Sequence, residues 1–443
     1  MISRGSKPPA TRLATPDAAD KERPNPNPAP VQKPRGRSIS SVPILTACLA
    51  FALLNLLVLG ACKRSSKPTA NRPAKSEPRS GAAAGADHGE VAVRLKDAIQ
   101  RAGGSEVWVK GAPGAAFPPP VDVPIEVLAP PPTFQPVLSA LKRASAAQGL
   151  EARAESTQGP DGLPVVEVRV SKGSEPVGAW RFREVRQLLR AAIVIDDLGQ
   201  NLEAARQLLK LPYPLTFSVL PRLPHSQETA AEAHGAGREV MLHLPMEPEP
   251  GSRAGAGDGA IKVGMPNAQV IRIVAADVAA VPYARGANNH MGSRATANRA
   301  LMTAVMKALA ERRMYFVDSR TSVNTVAFDV ARSAGVPTFY RSVFLDDTET
   351  PGYTLGQLRQ LCRVARRQGA ALAIGHPYPT TLAALRQFLP EFEREDIQLV
   401  PASELARSLE VARLSPPSPT EDSRQKAVGS RQSAVAPGFS LAR

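Results

Sequence analysis

Cysteine is nearly absent. Cys48, Cys62 and Cys362 are the only three, and no two are spaced as Cys-x-x-Cys. That excludes a zinc ribbon or a disulfide framework. Cys362 falls in the apolar pattern Leu355, Leu358, Cys362, Ala365, which predicts a buried and inert thiol on a helix. No Gly-x-Ser-x-Gly elbow occurs, so a serine hydrolase of that type is excluded. No Gly-Lys-Ser/Thr occurs either, and Gly255, Gly257 and Gly259 do not lie between a strand and the helix it feeds. A P-loop or dinucleotide site is therefore not indicated. Acidic residues are scarce only at the ends. Of the net charge of +15, residues 1–79 hold +10 and residues 413–443 hold +3, leaving the middle at +2. The basic excess sits in terminal segments, so no nucleic-acid partner is expected.

Large apolar residues are almost missing from residues 1–41, which are rich in Pro, Ala, Lys and Arg and are expected to be disordered. Residues 42–62 then supply about 20 apolar residues, enough to span a bilayer as a helix. Basic residues flank both ends (Lys33, Arg35 and Arg37; Lys63, Arg64 and Lys67), so charge sets the orientation only weakly. The run ends Leu59-Gly60-Ala61-Cys62. This resembles a bacterial lipoprotein cleavage box, and an uncleaved signal anchor is the alternative. Both place the remainder outside the cytoplasm, in the cell envelope or periplasm. Residues 63–90 read as a flexible Pro/Ala/Gly/Ser linker. Residues 91–187 read as a small α+β accessory domain, with a helix over Val91, Leu95 and Ile99 and strands at 107–109, 165–170 and 177–182. Residues 413–443 form a polar tail expected to be disordered.

From 188 to 412 strands alternate with helices, seven or eight βα units in about 220 residues. That predicts an α/β fold, a closed or nearly closed (β/α) barrel, with an open doubly wound sheet as the competing topology. Polar residues gather at the predicted strand ends. Asp196 and Asp197 follow the β-branched run ending Ile193-Val194-Ile195. His243 follows Glu239-Val240-Met241-Leu242, with Glu247 four residues on. His290 ends Gly286-Ala287-Asn288-Asn289, Asp318 follows Tyr315-Phe316-Val317, and His376 follows Ala373-Ile374-Gly375. Asp346 and Asp347 follow Val343-Phe344-Leu345 and are expected to close a turn. Each residue has a plain explanation as a cap or turn former. Together they fit a barrel, because only the carboxyl ends of its strands converge. Asp and His in one cleft suit a divalent metal such as zinc, with a nearby carboxylate as base and a histidine as acid, for hydrolysis of an amide or ester.

The stretches Val-Ile-Asp-Asp-Leu-Gly, Met-Leu-His-Leu-Pro-Met-Glu, Asn-Asn-His-Met-Gly-Ser, Phe-Val-Asp-Ser-Arg-Thr and Ile-Gly-His-Pro resemble the divergent polysaccharide deacetylase family, a branch of the NodB-like carbohydrate esterases. The resemblance covers roughly residues 188–410. It implies an irregular (β/α) barrel of the NodB-like deacetylase type and metal-dependent removal of acetyl groups from an N-acetylated glycan. Motif by motif, it implies Asp196 as catalytic base and Asp197 and His243 as metal ligands. It implies His376 as general acid and Asp318 as a residue orienting His376 or the substrate. The ordinary family places a second histidine where this chain has Glu247, and His290 is the residue expected to replace it. A catalytically silent carbohydrate-binding or envelope scaffold on the same fold is the competing function.

Overall fold

The computed structural model describes residues 81–111, 117–252, 255–257 and 259–414. The expected basic segment 1–41, the apolar segment 42–62, the first part of the 63–90 linker and the tail beyond 414 lie outside the described residues. No described helix is long and apolar enough to cross a membrane. Helix α1 (Gly81–Gly103) begins ten residues before the expected end of the linker. Ala82, Ala83 and Ala84 are the strongest helix formers available, and they outweigh the scattered glycines.

After α1 come β1 (Trp108–Val109), β2 (Ile125–Ala129), α2 (Pro131–Ala146), β3 (Glu151–Gln158), β4 (Pro164–Lys172) and β5 (Glu175–Glu184). The strands form a five-stranded sheet in the order β1-β2-β5-β4-β3. Leu95 and Ile99 of α1 and Phe134, Val137 and Leu141 of α2 are buried with Val166, Val168, Val170, Trp180 and Phe182 of the sheet. Helix α2 is hidden in the sequence by Pro130, Pro131, Pro132 and Pro136. Pro131 and Pro132 sit in the first helical turn, whose N–H groups have no intrahelical partner, and Pro136 lies inside the helix.

The second sheet is built from alternating units. They are β6 (Leu189–Leu198), α3 (Leu202–Leu209), β7 (Thr216–Val219), α4 (Ser226–Gly235), β8 (Glu239–Met246), α5 (Asn267–Ala280), β9 (Ala284–Met291), α6 (Arg299–Ala310), β10 (Tyr315–Asp318), α7 (Ala327–Ser333), β11 (Thr338–Tyr340), β12 (Val343–Phe344), α8 (Pro351–Gln368), β13 (Ala370–Gly375), α9 (Pro379–Arg394), β14 (Ile397–Leu399) and α10 (Ala402–Leu414). Every pairing is parallel, in the order β11-β10-β9-β8-β7-β6-β13-β12, and β14 adds to the start of β6. The sheet curls on itself. Its two outermost strands, β11 and β12, are separated by only Arg341 and Ser342. The Arg341 N–H donates to Asp318 O on one side of this seam, and the Ser342 N–H to Leu372 O on the other. By its sequence pattern 338–344 reads as a single strand; the chain instead steps across the seam there.

Alternation along β6 shows the two faces. Ala191, Ile193 and Ile195 face the helices, where they are buried with Ala205, Leu208, Leu361 and Leu385. Ala192 and Val194 face inward with Met241, Val317, Leu372 and Ile374. Helix α10 closes the amino end of this interior with Ala402, Leu405 and Ala406. Its first N–H groups are received by Thr216 Oγ1 (3.0 Å) and Glu239 Oε1 (3.0 Å), at the starts of β7 and β8. A carboxylate there also matches the positive end of the helix. The amino end is thus plugged, and the carboxyl end is left open.

The two sheets are joined by polar contacts. Asp396, at φ 52°, accepts from Lys110 Nζ at 2.8 Å and Arg183 Nη2 at 2.9 Å. Arg190, at the start of β6, bonds Ser105 O and Glu106. The described residues fall within one compact unit.

Candidate active site

The two adjacent carboxylates share a cleft because β6 is irregular. Successive side chains of a strand point to opposite faces. Here Ile195 pairs with Phe217 and Leu198 with Val219, three residues against two, so β6 carries one extra residue. That is a bulge, and Asp197 takes it up at φ 56°. Asp tolerates this left-handed conformation better than most residues. Asp196 is buried, and Asp197 is half-buried beside it at the cleft floor.

Strand β8 brings His243 and β9 brings Asn288 and His290 to the same place. Asn288 orders the floor. Its Nδ2 donates to both oxygens of Asp196, at 2.8 and 3.1 Å. Its Oδ1 must therefore be the acceptor, and it receives Ser218 Oγ at 2.7 Å and His243 Nδ1 at 2.8 Å. This assigns the His243 proton to Nδ1 and leaves a lone pair on Nε2. That Nε2 lies 3.2 Å from Asp197 Oδ1 and 3.1 Å from His290 Nδ1, and His290 Nδ1 lies 3.0 Å from Asp197 Oδ1. Three donor atoms thus form a near-equilateral triangle, and Asp197, His243 and His290 are the group among the described residues able to hold a cation.

The triangle fits a divalent metal. Ligand atoms around an ion at 2.0–2.1 Å are separated by about 3.0 Å in an octahedral arrangement and about 3.3 Å in a tetrahedral one. Asp197 Oδ1 is a buried oxygen with no aligned hydrogen-bond donor, although two ring nitrogens stand beside it. Two imidazoles and one carboxylate favour a transition metal such as zinc over magnesium or calcium. The electrostatics of the cluster agree. Burial alone would raise the Asp197 carboxyl, but His243 and His290 hold it far below the usual carboxylate range. Burial opposes a charge on His243, yet Asp196, Asp197 and Asn288 outweigh it and raise its pKa. Without a metal, these groups concentrate negative potential that a proton answers; a cation answers it equally well.

His376 follows β13. Its Nδ1 donates to Asp346 Oδ1 at 3.0 Å, so Nε2 faces the cleft, 3.8 Å from Asp197 Oδ2. Asp346 is buried, and its Oδ2 also accepts the His376 N–H at 2.6 Å and Thr381 Oγ1 at 2.7 Å. Burial opposes charge on His376, but the bond to Asp346 and the charges of Asp196, Asp346 and Asp197 prevail and raise its pKa to about 9. The cleft, about 530 Å³, is lined by Asp196, Asp197, His243, His290, Arg341 and His376 among others.

With this geometry in place, comparison with known proteins gives a consistent result. The sequence profile of "Divergent polysaccharide deacetylase" matches residues 193–406. The uncharacterized protein YibQ of Escherichia coli K12 is 40% identical over 228 residues, 52% of this chain and 70% of that protein. The chain belongs to the divergent polysaccharide deacetylase family. An uncharacterized protein of Haemophilus influenzae is 39% identical over 230 residues, covering 52% of this chain and 80% of that protein. Among solved structures, an uncharacterized Agrobacterium tumefaciens C58 protein, ATU2773, shares 25% identity over 49% of this chain and 89% of its own, with a TM-score of 0.47.

Two expectations change in detail. Asp318 does not reach His376. Its Oδ1 accepts the Arg320 N–H (2.8 Å), and its Oδ2 accepts Thr325 Oγ1 (2.9 Å) and the Phe328 N–H (3.3 Å), so it folds the loop after β10. Asp346, expected to close a turn, orients His376 instead. The sequence hid this because Asp346-Asp347 reads as a turn pair, and only the pairing of β12 with β13 sets it beside His376. Glu247 is not part of the donor triangle. It receives the Val263 N–H at 2.7 Å and pairs with Arg294 at 2.9 Å, bracing the segment after β8 against that after β9. Asn288 was visible in its motif, but its role was not, because it depends on contacts to three other strands.

Proposed function

We propose that this protein is a metal-dependent hydrolase that removes N-acetyl, or O-acetyl, groups from an envelope or extracellular polysaccharide. The observation that carries the proposal is the Asp197–His243–His290 triangle flanked by two groups fit for proton transfer, Asp196 and the Asp346-held His376. A divalent metal, zinc by donor type, would be held by those three residues and would polarise the acetyl carbonyl and acidify the attacking water. Asp196, anchored by Asn288, takes the proton from that water. The water oxygen bonds to the acetyl carbon, the C–N bond breaks, and His376 Nε2 donates its proton to the leaving amine, releasing acetate. The raised pKa of His376 keeps that proton available at neutral pH. Asn288 fixes the His243 tautomer and thereby keeps Nε2 free as a ligand.

The test is metal analysis of the purified protein together with acetate release from a panel of N-acetylated glycans. Asp197→Ala and His243→Ala are expected to lose metal and activity together. Asp196→Asn and His376→Ala are expected to keep the metal while turnover falls roughly 10²–10⁴-fold. Full metal occupancy in Asp197→Ala would refute the assignment. Glu247, standing where the ordinary family has a histidine, supports one competitor, a silent glycan-binding scaffold. That reading expects glycan binding without acetate release. Placement outside the cytoplasm, with residues 42–62 as anchor or Cys62 as lipid site, rests on the sequence alone. Fatty-acid labelling that depends on Cys62 would select the lipoprotein form, and unlabelled protein in the membrane fraction would select the anchor. Soluble cytoplasmic full-length protein would refute both.

A further inference from the structure

Strand β3 is the long outer edge of the first sheet, whereas the opposite edge, β1, has only two residues. None of the eight residues of β3 is buried, and seven of them are exposed. It contains no proline, and its register with β4 runs unbroken from Glu151↔Ser171 to Gln158↔Pro164. Edge strands present unused N–H and C=O groups, and proteins ordinarily blunt them by shortening, bulges or charge. Here charge is the only such device, and it is mismatched within the chain. Directly opposite residues include Arg153↔Arg169 and Glu155↔Glu167, like charges that disfavour the pair. Glu167 is compensated by Arg181 on its other side, at 2.7 Å. Arg153 reaches only Glu151, two residues away on its own strand, and both are exposed.

The outward face of β3 reads Glu151, Arg153, Glu155, Thr157, and the other face reads Ala152, Ala154, Ser156, Gln158. The second face is that of Val166, Val168 and Val170, which the helices cover. A second copy running antiparallel, with the two-fold axis at Ala154, sets Arg153 opposite Glu155 and Glu155 opposite Arg153. It also sets Ala152 opposite Ser156, Ala154 opposite itself and Glu151 opposite Thr157. Shifting the axis to Arg153 places Arg on Arg and Glu151 on Glu155, and shifting it to Glu155 places Glu on Glu. An axis at Ala152 matches charge but keeps only residues 151–153 of the strand in the pair. One register therefore uses nearly the whole strand and neutralises both charges left unmatched by β4.

We propose that β3 is a self-association edge, pairing with β3 of a second copy about Ala154 to make a continuous ten-stranded sheet. The small side chains on the helix side let the two helical layers approach without a clash. The charges act as a register lock, because repulsion rejects the neighbouring alignments.

The test uses the full-length protein. Sedimentation equilibrium is expected to show a monomer–dimer equilibrium. Arg153→Glu is expected to weaken it about tenfold or more, since two symmetric ion pairs become repulsions. It should not unfold the monomer, because the change relieves the clash with Arg169, and a thermal melt checks this. The double change Arg153→Glu with Glu155→Arg is expected to restore the dimer. Under mild oxidation, Ala154→Cys is expected to give a disulfide joining two 154 positions by peptide mapping, since directly opposite strand residues lie within disulfide reach. Ala152→Cys is expected not to join to itself. A protein that stays monomeric at all concentrations would overturn the proposal. So would a dimer indifferent to both charge changes, or a β3 that pairs only with a strand of another protein.

Discussion

Asn288→Ala tests the site through a residue that touches neither metal nor substrate. Asn288 is fully buried and makes four hydrogen bonds, to Ser218, to His243 and twice to Asp196. Truncation leaves three buried polar groups without their partner. Each such loss costs about 1–3 kcal/mol, and a water entering the space of the missing amide returns part of it. The expected destabilisation is therefore about 3–5 kcal/mol, or on the order of 10 °C in melting temperature for a unit of this size. A second effect is separable. His243 loses the acceptor that fixes its tautomer, so metal affinity should fall roughly 10–100-fold. Thermal melts of metal-stripped protein read the first effect, and a competitive zinc titration reads the second. A variant that melts near the parent temperature and binds zinc with parent affinity would refute the assignment of the Asn288 network.

Asp346→Asn should lower the His376 pKa from about 9 toward the ordinary histidine range, which NMR titration of the imidazole would follow. The sign is set by the raised value. Protonated His376 stabilises the fold in full below about pH 6.5, and that contribution is lost as pH rises through about 9, so the variant should lose this alkaline slope. Asp277 behaves differently. Burial outweighs its partner Arg222 and raises its carboxyl to about 6, so the fold favours the neutral acid. Stability should decline as pH rises from about 4 through 6, by up to about 3 kcal/mol, and Asp277→Asn should flatten that limb in urea melts. Cys362 is buried and its thiol is pushed up to about 11. It should resist alkylation at pH 8 in the native protein and react once unfolded; rapid native labelling by peptide mapping would contradict its burial.

Much of the second sheet was legible because its strands contain short, buried apolar runs, β-branched or aromatic, that lead to a polar residue. Ala191–Ile195 before Asp196, and Tyr315–Val317 before Asp318, are examples. Period and punctuation also placed α4 at Ser226–Gly235. What escaped was non-local. No local pattern says that Arg341 and Ser342 cross a seam, or that Asp346 lies beside a histidine thirty positions on. Asp318 misled for the reverse reason. Its strand-end position is the same as that of the site residues, but its carboxylate is consumed by its own following loop. Prolines concealed α2, because Pro131 and Pro132 look like a loop until their turn is known to be a first turn, and Pro136 lies inside the helix.

The extra residue in β6 sets how this site can be gained or lost. The second carboxylate owes its place to chain length rather than to side-chain identity, since a regular strand would turn one of Asp196 and Asp197 toward the helices. Substitution at 197 can remove one corner of the Asp197–His243–His290 triangle yet leaves the backbone ready to receive a carboxylate again. Deletion of a single residue between Ile195 and Leu198 would instead restore an even ladder with β7 and shut one of the two positions out of the cleft for any residue type. If the proposed chemistry holds, a point change at 197 is a step that a further point change can reverse, whereas a one-residue shortening is a ratchet.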